Sequence, residues 1–404
     1  MRIFSTFSGI GGFEIGIQNA FESNRATQQA SANSRHSADD TSDSLQEWGQ
    51  SATCVGYSEI DKYASSVYEK QFPGVKNYGD ITKINAKELP DFDCLVGGFP
   101  CQAFSIAGKR KGFEDTRGTL FFDLARILRA KQPRLFVFEN VKGLLSHDGG
   151  RTFKTIIQTI DELGYDCQWQ VLNSKNYGVP QNRERIIIVG HLRGTPRPEV
   201  FPIIGEGETT LRKDTKAIAL HNTRKIATVA DTVNTLSASF RGHPDGDGRP
   251  AILQLNQPTH SNDRVYGSDG ISPTLNTMQG GNRQPFVKVP EATKKGYTEA
   301  SVGQAINLSV PNSKTRRGRV SDIAPTLDTG MQLHTLTEDV RIRRLTPIEC
   351  ERLQAFPDNW TQNGKDGELI SDTQRYKMCG NAVTTNVVQA VFERIFESTT
   401  GVNQ

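Results

Sequence analysis

The chain is predicted to fold as a doubly wound α/β domain carrying a second, smaller lobe rich in β-strand and loop. Three observations predict this. Short apolar runs alternate with amphipathic helical stretches through the first third, the pattern of strand, crossover helix and parallel strand in repetition. After about Gly190 the helical periodicity gives way to Gly, Pro, Asn and Thr with short β-type runs. From Arg343 the helical pattern returns, so the simplest topology brings the C-terminal segment back to complete the first domain. A length of 404 residues exceeds one small core and accommodates both lobes.

The elements follow in order. Arg2–Phe7 is a strand that runs into a glycine turn, Ser8–Gly12, and a helix from about Phe13 to Phe21. Further strands are predicted at Cys54–Ser58, near Asn77, at Cys94–Val96, Leu135–Phe138 and Arg185–Val189, with helices at Lys62–Gln71, Leu120–Ala130 and Phe153–Leu163. Ser23–Ser51, rich in Ser, Asn, Gln, Ala and Asp, reads as a disordered surface insertion. The predicted domains are residues 1–192 with 341–404, and residues 193–340. Ala251–Leu255 and Phe286–Val289 are β-type runs of the second lobe. A Thr-Leu element recurs there around Thr235, Thr274 and Thr326, too unevenly spaced for a regular solenoid. In LTPIECERLQAF, Thr346 is placed to cap a helix with Pro347 at its first position, and a final helix spans about Asn386–Phe396.

Bulk numbers exclude some classes. Apolar content is 35% and mean hydropathy is −0.50, and no run approaches the ~20 apolar residues of a membrane helix. No charged leader with a long apolar core opens the sequence, so a cytoplasmic location is expected. A net charge of +3 does not by itself announce a nucleic-acid binder. None of the six cysteines forms a CxxC pair, which indicates neither a zinc site nor a disulfide framework, and no metal is expected.

The motifs sit at predicted strand ends. FSGIGG, residues 7–12, lets backbone pass close to a ligand. Glu59 ends the second strand, where a carboxylate binds ribose hydroxyls, and Asp80 in GDIT is placed to accept from an adenine amino group. No phosphate-cradling GKS/T motif is present, so adenosine without a triphosphate fits best, as in S-adenosylmethionine. GGFPCQAFS, residues 97–105, places Cys101 after a strand's C-terminal end, and a basic glycine-rich loop follows it. Glu139 in FENV follows an apolar run, where desolvation favours the protonated acid that donates to a ring nitrogen. Arg183 and Arg185 in QNRERIIIVG stand at alternate positions and are predicted to share a side.

FSGIGG, the Glu of SEIDK, GDIT, GGFPCQAFS, FENV, QNRERI, RRLTPIECERLQAFP and CGNAV occur in this order. The chain thereby resembles the bacterial and phage DNA (cytosine-5)-methyltransferases over roughly residues 1–22, 52–192 and 341–396. The resemblance implies a class I, Rossmann-like S-adenosylmethionine-dependent fold with a β- and loop-rich target-recognition domain. Phe7, Gly9, Ile10, Gly11, Gly12, Glu59, Ile60, Asp80, Ile81, Pro100, Leu120 and Asn381 are then the implied cofactor residues. Cys101 is the implied nucleophile toward cytosine C6, Glu139 the contact to N3 and the exocyclic amine, and Arg185 the contact to O2. Gln102, Ser105, Arg117, Arg183, Arg264, Thr274, Arg283 and Thr326 are the implied DNA or active-loop contacts. Spacing to the LTP motif favours Thr326-Leu327 as the recognition pair, while flanking residues favour Thr274-Leu275. The implied partner is duplex DNA, met by a monomer, in a restriction-modification or phage-protection setting with a possible cognate endonuclease. A tRNA cytosine methyltransferase, a silent DNA-binding relative and a dinucleotide oxidoreductase are the competing readings. The long second lobe and the PCQ form of the nucleophile motif favour DNA over tRNA.

Overall fold

The computed structural model describes residues 1–34, 51–100, 120–197, 199–205, 287–293, 295–308, 313, 315, 317–327, 333–336 and 342–400. Its centre is a six-stranded sheet of β1 (Arg2–Thr6), β2 (Thr53–Ser58), β3 (Cys94–Gly98), β4 (Leu135–Val141), β5 (Tyr165–Asn173) and β7 (Glu184–Leu192), in the order β2-β1-β3-β4-β7-β5. The pairs β1/β2, β1/β3 and β3/β4 are parallel, while β7 runs antiparallel to both β4 and β5. Successive strand side chains point to opposite faces. Phe4, Leu95, Phe136, Phe138, Ile186 and Ile188 accordingly pack to one side, against α3 (Leu120–Lys131) and α4 (Arg151–Glu162). Ile3, Cys94, Val96, Val137, Ile187 and Val189 pack to the other, against α1 (Gly12–Ser34) and α7 (Thr385–Thr400). Both faces are covered, which is why these strands read as near-continuous apolar runs.

The C-terminal segment does return to the first domain. Val388, Val391, Phe392, Ile395 and Phe396 of α7 meet Phe13, Ile17 and Phe21 of α1 in one cluster. Thr346 caps α5 (Pro347–Leu353), with a full capping box to Glu349 and Pro347 in the first turn.

Several expectations need correction. Residues 23–34 are the continuation of α1 rather than part of a disordered insertion, and residues 35–50 lie outside the described chain. Its Ala, Gln and Arg residues sustain a helix without an apolar stripe once its first turns are anchored. The strand expected near Asn77 is a single bridge, Tyr57 to Asn77. There the Asn77 side chain bonds the backbone of Glu59 and Gly79 instead of extending a ladder. Strand β5 was not predicted, because Gln168 and Gln170 interrupt its apolar pattern. Both are buried and bond the backbone of Val200, Phe201 and Ile203. Helix α6 (Asp372–Asn381) was not predicted either, since its polar sequence hides a buried Arg375 that bonds Glu351 and Thr361.

Between residues 205 and 346 the regular structure of the described chain is short strands. The strands β10 (Ala305–Asn307), β11 (Val320–Ser321), β13 (Leu333–Leu336) and β14 (Ile342–Arg344) form a sheet in the order β11-β10-β13-β14. β8 (Val287–Pro290) and β9 (Tyr297–Ala300) pair beside it around Val289, Ala300, Ile306 and Leu336. One piece leaves this group: β12 (Ala324–Pro325) pairs in parallel with β6 (Gln181–Asn182), and Leu327 packs with Leu353, Tyr376 and Cys379. None of the described helices is long and apolar enough to cross a membrane.

Candidate functional site

In an open α/β sheet, ligands bind beyond the carboxyl ends of the strands, where the strand order reverses. Here the chain leaves β1 for β2 on one side and returns to β3 on the other, so the C-terminal ends of β1–β4 form that edge.

The turn after β1 is left-handed at three residues: Phe7 (φ 50°), Gly9 (φ 55°) and Gly11 (φ 88°). For Phe7 that conformation costs about 1–2 kcal/mol, which the surrounding bonds must offset. Ser8 N–H donates to Ser58 O at 3.3 Å, Gly11 N–H to Ser8 O at 3.0 Å, and Gly9 N–H to Glu59 Oε2 at 2.9 Å. The turn is backed from far along the chain. The Trp360 indole N–H donates to Ile10 O at 2.9 Å, and a Cβ on Gly11 would stand 2.3 Å from Phe72 Cε2. A Cβ on Gly12 would stand 2.7 Å from Val383 Cγ1. At Gly9, by contrast, a Cβ would meet nothing within 4 Å among the described residues, so on their side this part of the turn faces open space.

Glu59 ends β2 as expected, and its carboxylate is already engaged. Besides Gly9 it accepts from Ile60 N–H at 2.9 Å and Asp61 N–H at 2.8 Å. A carboxylate offers about four acceptor positions, so with these three taken one remains, and freeing another requires Gly9 N–H to let go. Ile60 beside it is 77% exposed, an apolar side chain held in water without a partner. Asp80 Oδ1 accepts from Thr82 Oγ1 at 2.8 Å and Thr82 N–H at 3.0 Å, and these bonds hold its carboxyl below the usual carboxylate range. Pro100 and Asn381 are exposed and Leu120 is half-buried. Ile10 and Ile81 are core side chains, 1% and 3% exposed, so only their backbone is left to line a ligand.

The second half of the edge lies between β3, β4 and β7. Gly98 is opposite Glu139, and a Cβ on Gly98 would stand 3.1 Å from Glu139 Oε2, so glycine there leaves room for the carboxylate. Glu139 Oε1 pairs with Arg185 Nε at 2.8 Å, with the two side chains 12% and 16% exposed. A pair this enclosed fixes both groups, and removing one member leaves a buried charge. Asn140, which the sequence reading passed over, is 2% exposed and donates from Nδ2 to Phe99 O at 2.8 Å. It holds the backbone two residues before position 101. Its signal was its place directly after Glu139, on the opposite strand face.

Arg183 departs from expectation. It falls between β6 and β7, where strand alternation does not apply, and does not share a side with Arg185. It is 3% exposed, and its guanidinium donates to the carbonyls of Gly380, Ala382 and Leu327, so it is turned inward rather than toward a DNA phosphate. Thr326 is exposed, with Oγ1 donating to Asn182 O at 2.9 Å, so the Thr326-Leu327 pair is tied to Asn182 and Arg183, three and two residues before Arg185. Cys101, Gln102, Ser105, Arg117, Arg264, Thr274 and Arg283 lie outside the described residues.

Residues 1–397 match the family of C-5 cytosine-specific DNA methylases. The chain is 55% identical to the type II methyltransferase M.NgoBV of Neisseria gonorrhoeae over 85% of this chain and 92% of that one. It is 32% identical to the orphan methyltransferase M.SPRI of Bacillus phage SPR over 98% of both. The solved structure of S. pombe Dnmt2 methyltransferase superposes with a TM-score of 0.53 at 14% identity, covering 100% of both chains, a likeness of fold. With the strand-end edge, the Glu139–Arg185 pair and the ordered motifs in place, the chain belongs to the C-5 cytosine-specific DNA methylases.

Proposed function

We propose that the protein transfers the methyl group of S-adenosylmethionine to carbon 5 of a cytosine flipped out of a specific duplex DNA site, through a covalent Cys101 adduct at carbon 6. The observation that carries this reading is the Glu139–Arg185 pair, which stands opposite Gly98, with Asn140 holding the backbone that leads into Pro100 and Cys101.

The edge fits an adenosine. Gly9 borders open space, Glu59 keeps one acceptor position, Ile60 offers an exposed apolar side chain, and Asp80 keeps an oxygen whose nearest cation is Lys83 at 3.6 Å. When bound, S-adenosylmethionine supplies an electrophilic sulfonium methyl. The chain's own residues make cytosine able to accept it. Carbon 5 is a poor nucleophile until the Cys101 thiolate forms a bond to carbon 6, which moves the ring electrons toward N3 and carbon 5. Glu139 holds a proton at N3 as that charge develops, and Arg185 donates to O2. Loss of the carbon 5 proton then restores the ring and expels the thiolate. None of these atoms is reachable inside a duplex, so the base must leave the stack. The Thr326-Leu327 pair, tied to Asn182 and Arg183, is a candidate to meet it. A monomer in a restriction-modification or phage-protection setting is part of this reading.

A duplex carrying 5-fluorocytosine tests it, because fluorine at carbon 5 does not leave as a proton. Wild-type protein with S-adenosylmethionine is expected to form a denaturant-stable complex with DNA, and Cys101→Ser none. A stable complex with Cys101→Ser, or ordinary turnover by that variant, contradicts the nucleophile assignment.

A further inference from the structure

We propose that Arg183 is a positioning residue that links cofactor binding to DNA binding, by holding the cofactor lip at Asn381 and the Thr326-Leu327 segment on one buried guanidinium. This rests on the function proposed above.

Two segments distant in the chain converge on this side chain. Nη2 donates to Ala382 O at 2.8 Å and to Gly380 O at 3.2 Å, and Nη1 donates to Gly380 O at 3.2 Å and to Leu327 O at 3.5 Å. Gly380 and Ala382 flank Asn381, so Arg183 fixes the backbone on both sides of an exposed cofactor residue. Leu327 follows Thr326, which is itself tied to Asn182, the neighbour of Arg183. Gln181 adds a parallel tie, accepting from Leu327 N–H at 3.3 Å and donating to Leu353 O at 2.7 Å. Two residues on, the same chain carries Arg185 and its bond to Glu139.

The chemistry of the contact favours a link over a plain strut. Among the described residues the acceptors of the Arg183 guanidinium are neutral carbonyls, and its Nε is buried without a hydrogen-bond partner. Burial, helped by the like charge of Arg185, pushes this guanidinium down to about 10. A buried cation satisfied only by carbonyls is a costly way to brace a fold. Its planar fork does what no apolar side chain does, fixing carbonyls from two segments in a single geometry. A ligand that orders either segment therefore lowers the cost of ordering the other, which is reciprocal coupling between two sites.

The test measures the dissociation constants of S-adenosylhomocysteine and of a duplex that the wild-type protein methylates, each with and without the other. In the wild-type each ligand is expected to tighten the other by about tenfold, within the usual range of coupling. In Arg183→Lys, which keeps the charge and loses the fork, that factor is expected to fall to about one while each ligand binds alone within about threefold of wild-type. Thr326→Val removes the hydroxyl tie to Asn182 and is expected to lower the factor part of the way. A full factor in Arg183→Lys overturns the proposal, and so does a parallel loss of both lone affinities with the factor intact. Should Arg183→Lys not fold, a full factor in folded Thr326→Val overturns it. A wild-type protein that methylates DNA without coupling defeats the proposal alone, whereas one that methylates no duplex defeats the function it rests on.

Discussion

The two halves of the strand-end edge are built in different ways. On the β1–β2 side, Phe7–Gly12, Glu59 and Asp80 are held mainly through backbone groups: glycine geometry, Glu59 on the amides of Gly9, Ile60 and Asp61, Asp80 on Thr82, and the Trp360 indole on Ile10 O. On the β4–β7 side, Glu139 reaches Arg185, Asn140 reaches Phe99, and Arg183 reaches carbonyls of Leu327, Gly380 and Ala382. A half set by glycine geometry and backbone amides is rigid, which suits the nucleoside seat proposed for it. A half assembled from distant segments is one that ligands and remote substitutions can shift.

Glu139→Gln tests the second half where the effect is largest. The amide cannot pair with Arg185 as a carboxylate does or hold a proton at N3, and methyl transfer is expected to slow about 10²-fold or more. Cofactor affinity, set in the first half, should stay unchanged in equilibrium titration. An unchanged rate removes Glu139 from the chemistry.

Gly11→Ala tests the first half. The new Cβ meets Phe72 and sits at φ 88°, so cofactor binding is expected to weaken about tenfold and the melting temperature to fall by at least about 2 °C. Adding Phe72→Leu should recover part of the loss by removing the clash while the backbone strain stays. Complete recovery would show that φ at this turn carries no cost.

A smaller effect depends on pH. Glu14 is buried beneath this turn at 3% exposure, with Tyr68 Oη donating to it at 2.8 Å. Burial raises its pKa, and the Tyr68 bond only partly opposes that. A carboxyl raised on folding favours the folded state fully below its unfolded pKa, and that contribution is lost as pH rises toward the folded value. Glu14→Gln should therefore match wild-type melting near pH 4 and exceed it increasingly toward neutral pH, by thermal denaturation across that range. A difference that does not change with pH contradicts a buried neutral acid. The smallest expected effect is Thr346→Ala, which removes the α5 capping box for about 1 kcal/mol in denaturant titration.

The same division explains what the sequence made legible. Strands β1 to β4 and helices α2 (Lys62–Gln71), α3 and α4 follow from apolar periodicity, and the α5 start from Thr346, Pro347 and Glu349, because each depends on neighbours in the chain. Strand β5 and helix α6 hid behind Gln168, Gln170 and Arg375, polar residues whose partners lie elsewhere in the sequence. Glu59 was readable from its place directly after β2, whereas Asp80 follows a single bridge and caps the 3-10 turn Ile81–Lys83. The inward turn of Arg183 was not, since its acceptors stand 144 to 199 residues away and nothing local marks them. Asn140 was missed for the same reason, its acceptor being 41 residues back in the loop after β3.

The most direct test of the central claim is methyl transfer from labelled S-adenosylmethionine to mixed-sequence duplex DNA by wild-type protein and Cys101→Ser in parallel, followed by base-resolution mapping. The expected result is 5-methylcytosine confined to one short motif with wild-type protein and none with the variant. Label on another base or another cytosine position, or equal label with Cys101→Ser, would contradict it.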